Sequence, residues 1–428
     1  MARASAALQG FARSAAALWF HHTEKAGAAL PEGPVLLVLN HPNGLLDPLL
    51  ATALLERPPR FVAKAALWKA PPLRPLLAFF RAIPVQRAQD AVEPAGAEAR
   101  AEALAATFSA VFRTFAAGEV LGIFPEGISH AGHDLAPLKT GPARMVLGAA
   151  VRPALVPAGI VYGDRGVFRH GALLRVGKPI DAADLIGVEP ATVLALTERI
   201  RSALAPLTLH AADVEATRLA QDLAWMLAEG PRPWANLAAF HGRARTLLDW
   251  LSELSAEDRT VVELEVAKAR SWLSERGLRP DQVGHPYPLG ERLRWAPRAV
   301  GRCFLALLCV PAGLLYWPVY WLVGRLSRWR EPDLDVVATS KLLAGAVLLP
   351  LWSAALLGAG WRLFGWRGLL AWAAALPLAW LSLPVLEALR EDLRAVRGWL
   401  ARRDPTAPML LEARARLLQA VPRLRNGG

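Results

Sequence analysis

Cysteine is nearly absent: Cys303 and Cys309 are the only two in 428 residues, and both lie inside an apolar stretch. Two such cysteines give no disulfide framework and no metal-ligand spacing, so nothing points to an oxidising compartment. The first twenty residues lack a basic cluster, a long uninterrupted apolar core and a small-residue cleavage site, which argues against a signal peptide. Repeats, low-complexity tracts and a Gly-x-Ser-x-Gly nucleophile elbow are missing as well. No basic nucleic-acid motif with interleaved aromatics occurs.

Apolar residues are abundant, at 54% of the chain, and mean hydropathy is +0.27, too high for an ordinary soluble protein. The net charge of +12 is unevenly spread. From Glu291 onward there are nineteen Arg and Lys against nine Asp and Glu, a balance of +10. The excess therefore flanks the apolar C-terminal segments, which favours anionic lipid headgroups over nucleic acid as partner. Those segments, 303–323, 342–361 and 368–386, are each long enough to cross a hydrocarbon core about 30 Å thick. Pro311 and Pro318 are expected to interrupt the first. Tryptophans 317, 321, 352, 361, 366, 372 and 380 supply interfacial anchors. Arg292, Arg294, Arg298 and Arg302 precede the segments, and Arg390, Arg394, Arg397, Arg402 and Arg403 follow them. By the positive-inside tendency both flanks belong on the cytoplasmic side. The expectation is a re-entrant or interfacial first segment and a spanning hairpin made of the other two.

Between 33 and 180, short apolar runs alternate with helical stretches. Strands are expected at 35–39, 61–63, 83–85, 120–124, 155–161 and 173–176, and helices at 48–56 and 93–116. This is an α/β domain with a largely parallel sheet flanked by helices. From 181 to about 295 the pattern is helical and more charged, without evident chemistry. The organisation read from this is 1–27, an amphipathic membrane-associated helix with Leu8, Phe11, Leu18 and Trp19 on its apolar face; 28–205, the α/β domain; 206–296, a helical connection; 297–390, membrane helices; and 391–428, a basic cytoplasmic tail, mobile after Arg402. A first helix packed on the core is the equal alternative.

The segment Asn40-His41-Pro42-Asn43-Gly44-Leu45-Leu46-Asp47 follows the expected strand 35–39 directly. A histidine held by a carboxylate takes a proton from an alcohol near neutral pH, because its ordinary pKa is about 6.5. Residues six apart face different ways on a helix, so the two side chains meet only if Pro42, Asn43 and Gly44 turn the chain. Asp47-Pro48 also reads as a helix N-cap with proline at the first helical position. A carboxylate has acceptor capacity for both roles.

Three more motifs follow: Arg81-Ala82-Ile83-Pro84-Val85-Gln86-Arg87, then Phe124-Pro125-Glu126-Gly127-Ile128-Ser129-His130, then Val156-Pro157-Ala158-Gly159-Ile160-Val161-Tyr162 with Gly177-Lys178-Pro179-Ile180. Together, over roughly residues 15–205, they resemble the glycerolipid acyltransferases. Five residues rather than the usual four separate His41 from Asp47. Ile128-Ser129 replaces a Thr-Arg pair, and Leu135-Ala136-Pro137-Leu138-Lys139-Thr140-Gly141 follows. These features are similar to the fungal-type glycerol-3-phosphate/dihydroxyacetone-phosphate branch, which also has C-terminal membrane segments.

The resemblance implies a membrane-bound O-acyltransferase of phospholipid synthesis, its catalytic domain facing the cytoplasm from the cell membrane. It implies His41 as general base, Asp47 as its orienting carboxylate, and Arg87, Phe124, Pro125, Glu126, Gly127 and Lys139 at the substrate. Arg87 suits a phosphate monoester, or else a surface ion pair. Glu126 suits substrate hydroxyls, a hold on Arg87, or a turn. Lys139 supplies the charge of the missing motif arginine, or is a solvated loop lysine. His130 and His133 are not expected to bind metal. Acyl-CoA or acyl carrier protein is the implied co-substrate, with no bound cofactor. A different lysolipid acceptor and a non-catalytic membrane scaffold are the competing readings.

Overall fold

The run Val35-Leu36-Leu37-Val38-Leu39 is buried at every position, as five consecutive large aliphatics require. In the computed structural model, which describes residues 2–69, 74–85, 97–130, 135–163, 168–209, 213–228, 236–282, 285–328 and 334–421, this run is the central strand of a sheet. Two compact units are present, residues 1–217 with 234–241 and 333–335, and residues 218–233, 242–332 and 336–428.

The first unit holds strands β1 (His22–Gly27), β2 (Val35–Leu39), β3 (Arg60–Lys64), β4 (Ile83–Val85), β5 (Val120–Ile123), β6 (Ala154–Tyr162) and β7 (Gly171–Val176) in the spatial order 1-7-6-2-5-3-4. Every pairing is parallel except β6 with β7. This is the largely parallel mixed sheet expected from the alternation. Its helices are α1 (Ala2–Trp19), α2 (Leu46–Leu54), α3 (Arg74–Phe79), α4 (Ala97–Ala116), α5 (Gly141–Leu147) and α6 (Pro190–Leu204). Leu36 and Val38 of β2 pack with Val111 and Phe115 of α4, Val146 of α5, and Leu196 and Ile200 of α6. Each such fully buried side chain contributes about 1.5–3 kcal/mol.

Two expectations change here. β1 is an additional strand, made of the polar sequence His-Thr-Glu-Lys-Ala-Gly and paired with β7. And α1 turns its apolar face to the domain: Leu8, Ala12, Ala16 and Trp19 are buried, while Phe11 is exposed. Gln9 Nε2 donates to the Leu55 carbonyl at 2.5 Å and Arg13 Nε to the Ala53 carbonyl at 3.2 Å. These side chains satisfy carbonyls at the C-terminal end of α2 that have no partner within the helix. α1 thus packs on the domain through this face.

At the amino end of β5, Glu119 accepts from Arg81 at 2.5 Å and from Arg60 at 3.2 Å. Burial pushes the Glu119 carboxyl up, but the two arginines outweigh it and hold it below the usual range. Arg81 of the second motif is spent here.

The second unit is helical. α7 (Val214–Met226) and α8 (Leu237–Glu253) lead into it; α9 (Ala256–Glu275) follows, with Ser255 as N-cap accepting from the Asp258 amide. Then come α10 (Leu289–Ser327), α11 (Leu334–Phe364), α12 (Trp366–Ala401) and α13 (Ala407–Ala420). Helices 289–327, 337–364 and 366–401 are long and apolar enough to cross a membrane. Pro311 and Pro318 do not interrupt α10, which runs through them; away from water a helix has no better partner for its backbone than itself. The boundary expected at 390 falls inside α12, and after Arg402 residues 407–420 form a helix with Leu410, Ala413 and Leu417 buried.

α10 and α12 pack antiparallel. Arg302 is bonded to Asp392, Gly313 faces Ser382, and the Tyr316 and Trp372 rings meet edge-on at 5.9 Å. Ala306, Cys309, Ala312, Tyr316 and Val319, three or four residues apart, form the buried seam of α10, while Leu307, Leu308, Leu314 and Trp317 point outward. Small residues at the contact and large apolar ones outside are the pattern of a helix pair in lipid.

Candidate active site

β2 ends at Leu39, and the next two residues set up the site. The buried Asn40 side chain donates to the Ile160 carbonyl at 3.0 Å and accepts from the Ile160 amide at 2.6 Å. It acts as one more strand partner for β6 and so anchors the backbone just before His41. The chain then turns through Pro42, Asn43 and Gly44, the glycine at φ +48°, and enters α2.

This turn brings the six-apart pair together. His41 Nδ1 lies 2.7 Å from Asp47 Oδ2. The N-cap reading of Asp47 does not hold: α2 starts at Leu46 after Leu45, with no side-chain cap, and Asp47 sits within the first turn. Its carboxylate, 0% exposed, accepts from His41 Nδ1, from the Asn43 amide at 2.8 Å and from the Tyr162 hydroxyl at 2.7 Å. A buried carboxylate needs such donors to offset its lost hydration. With Nδ1–H given to Asp47, Nε2 is the ring nitrogen left to accept a proton. The His41 side chain is 16% exposed.

The third motif fixes the main chain of His41. Glu126, 2% exposed, accepts from the His41 amide on Oε1 at 2.8 Å. Its Oε2 accepts from the Ala136 amide at 2.8 Å and bonds the His130 ring. The His130 amide in turn donates to the His41 carbonyl at 3.2 Å. Phe124 stacks on the His41 ring with centroids 3.9 Å apart and planes at 9°, and Phe61 stacks behind Phe124 at 5.4 Å. An aromatic face favours a neighbouring ring that becomes cationic. Gly122 makes room for Phe61: a Cβ there would sit 2.4 Å from the Phe61 ring.

The motif residues expected at the substrate therefore divide. Phe124 and Glu126 touch His41 itself. Gly127, at φ +76°, makes the turn. The Pro125 carbonyl accepts from the Lys139 amide at 2.7 Å, and the Lys139 methylenes lie beside Gly127. Lys139 is thus brought to the third motif and is exposed. Arg87, His133 and Asp134 lie outside the described residues. Asn40 and Tyr162 belong to quoted motifs, but their roles were not readable from spacing. All of this sits at the carboxyl ends of β2, β5 and β6, where open α/β sheets place their sites.

Residues 20–161 match the family described as Acyltransferase. These residues resemble that family. The chain is 28% identical over 280 residues to glycerol-3-phosphate O-acyltransferase 2 of Saccharomyces cerevisiae, covering 57% of this chain and 36% of that protein. It is 25% identical over 277 residues to glycerol-3-phosphate O-acyltransferase 1 of the same yeast, covering 56% and 35%. The matched region is thus little more than a third of these relatives' length. Among solved structures, the 1-acyl-sn-glycerophosphate acyltransferase PlsC from Thermotoga maritima is similar at TM-score 0.33 and 16% identity, over 47% of this chain and 80% of that one. The resemblance to the fungal-type glycerolipid acyltransferases stands on the family match and the two yeast relatives.

Proposed function

We propose that this protein is an acyltransferase that moves a fatty acyl group from an acyl thioester to a hydroxyl of glycerol-3-phosphate or 1-acylglycerol-3-phosphate. The observation that carries the reading is the His41–Asp47 pair, with Nδ1 committed to a buried carboxylate on a partly exposed imidazole whose Nε2 is left to act as base. His41 Nε2 takes the hydroxyl proton while the oxygen attacks the thioester carbonyl. Asp47 stabilises the imidazolium that forms. As the tetrahedral intermediate collapses, the C–S bond breaks and the thiolate leaves with the proton from His41. The thioester, acyl-CoA or acyl carrier protein, is a co-substrate, and the proposed chemistry uses no bound cofactor.

The test is incubation of the purified protein with labelled glycerol-3-phosphate or 1-acylglycerol-3-phosphate and each thioester. Acylated product in at least one combination is expected. No product in any of the four, from folded protein, would reject the reading.

The acceptor's phosphate is assigned to Arg87 and Lys139. Arg87→Ala is expected to raise KM for the phosphorylated acceptor by about 10- to 100-fold, the effect of losing a charge-assisted bond, and to leave KM for the thioester nearly unchanged. Lys139→Ala is expected to act in the same direction but more weakly, since an exposed lysine is largely hydrated. Equal changes in both KM values would make either residue structural.

The antiparallel α10–α12 pair puts both basic flanks on one side, and the positive-inside tendency makes that side cytoplasmic. This differs from the re-entrant or interfacial first segment expected from the basic flanks and the prolines. The catalytic domain, which precedes α10 in the chain, would then face the cytoplasm. In a variant without Cys303 and Cys309, single cysteines at positions 298 and 405 should label from the cytoplasmic side and one at 365 from the opposite side. Labelling of 298 and 405 from opposite sides would exclude this topology.

A further inference from the structure

Tyr162 ends β6, and its hydroxyl holds Asp47 Oδ1, the oxygen opposite the one that binds His41 Nδ1 and the Asn43 amide. Its ring stacks on Phe20, with centroids 5.7 Å apart and planes at 17°. Phe20 is itself buried and its amide donates to the Ala16 carbonyl, so it is a continuation of α1. Through Gln9 and Arg13 the same helix grips the C-terminal end of α2, whose first turn carries Asp47. α1 therefore braces the carboxylate from two sides, at the far end of its helix and through Phe20 and Tyr162.

We propose that Tyr162 is a positioning residue that sets the proton affinity of His41 through Asp47, and that Phe20 of the N-terminal helix holds Tyr162 in place. A hydrogen bond donated to a carboxylate stabilises its negative charge and makes it a weaker partner for any other donor. The Tyr162 hydroxyl thus draws charge from the Asp47–His41 bond. This keeps the imidazole less basic than an Asp47 relieved of that donor would make it. The effect on rate is favourable, because a general base works best with a pKa near the working pH. The titratable groups around the pair, among the described residues, are Asp47 from α2, Tyr162 from β6, and Glu126 and His130 from the loop after β5. The last two are bonded to each other and to the main chain of His41, so Tyr162 is the group that acts on the carboxylate's second oxygen.

The deciding measurement does not need turnover. Diethyl pyrocarbonate modifies only unprotonated imidazole, so the pH dependence of His41 modification, followed by mass spectrometry of its peptide, reads the proton affinity of this ring. In Tyr162→Phe the inflection is expected to move up by about 0.5–1 pH unit. The acid limb of kcat should move with it, and kcat should fall by about 10-fold. Phe20→Leu, which leaves the hydroxyl present but loosely held, should shift the inflection the same way by less. An inflection that stays in place or moves down in Tyr162→Phe overturns the proposal, whatever happens to kcat or to the melting temperature. The kinetic part rests on the acyl-transfer reading, but the labelling part does not. If the wild-type protein transferred no acyl group, the labelling result would still decide the role of Tyr162.

Discussion

His41→Ala is expected to lose acyl transfer by about 10²- to 10⁴-fold, the contribution of a positioned general base, while the protein stays folded. The fold should survive because the His41 ring is a partly exposed end group: its main chain, not its imidazole, carries the bonds to Glu126 and His130. Asp47→Asn is expected to fall by a similar factor for a different reason. An asparagine can present its NH₂ to His41 Nδ1, which favours the tautomer protonated at Nε2 and removes the free lone pair. It also leaves the Asn43 amide or the Tyr162 hydroxyl facing a donor. Activity and thermal midpoint should be measured together for both variants. Full activity in Asp47→Asn with only a lower melting temperature would mean that the carboxylate serves the fold, and the His41–Asp47 mechanism would have to be abandoned.

The parts of this site that could be read in the sequence are those built from neighbours in the chain. Five consecutive aliphatics announce a buried strand, and Pro42, Asn43 and Gly44 permit the turn that lets residues 41 and 47 meet. The choice between an N-cap and a histidine partner for Asp47 was open because it depends on where α2 starts. The structure begins that helix at Leu46, one residue before Asp47, and the carboxylate turns to His41. The contributions of Asn40 and Tyr162 were hidden for another reason. Asn40 bonds Ile160, and Tyr162 bonds Asp47, across 120 and 115 residues, and only the parallel register of β2 with β6 brings them side by side. β1 escaped notice because its sequence has no apolar alternation; it is a strand because β7 offers it an edge. In the membrane segments, the prolines suggested a break where the helix in fact continues. The partner of α10 was set by long-range contacts such as Arg302 with Asp392, which no periodicity reveals.

Glu126→Gln is expected to lower both stability and kcat, and to leave the acceptor's KM close to that of the wild type. The reason lies in what the carboxylate touches. Oε1 accepts the His41 amide, while Oε2 accepts the Ala136 amide and bonds the His130 ring. Glutamine has one acceptor oxygen where the site has donors on both sides. Turned one way, its NH₂ confronts the Ala136 amide; turned the other, it confronts the amide of His41. Either way a buried donor is left without an acceptor, at a cost of about 1–3 kcal/mol, and His41 loses part of the main-chain hold that aims Nε2. One of the three roles open to Glu126 from the sequence was to receive substrate hydroxyls. That role makes the opposite prediction: a raised acceptor KM with an unchanged melting temperature. Thermal unfolding in detergent together with the kcat and KM of Glu126→Gln therefore separates the two. A stable variant impaired only in acceptor KM would return Glu126 to the substrate. A destabilised variant with a low kcat and ordinary KM values would establish it as the residue that holds the base in position.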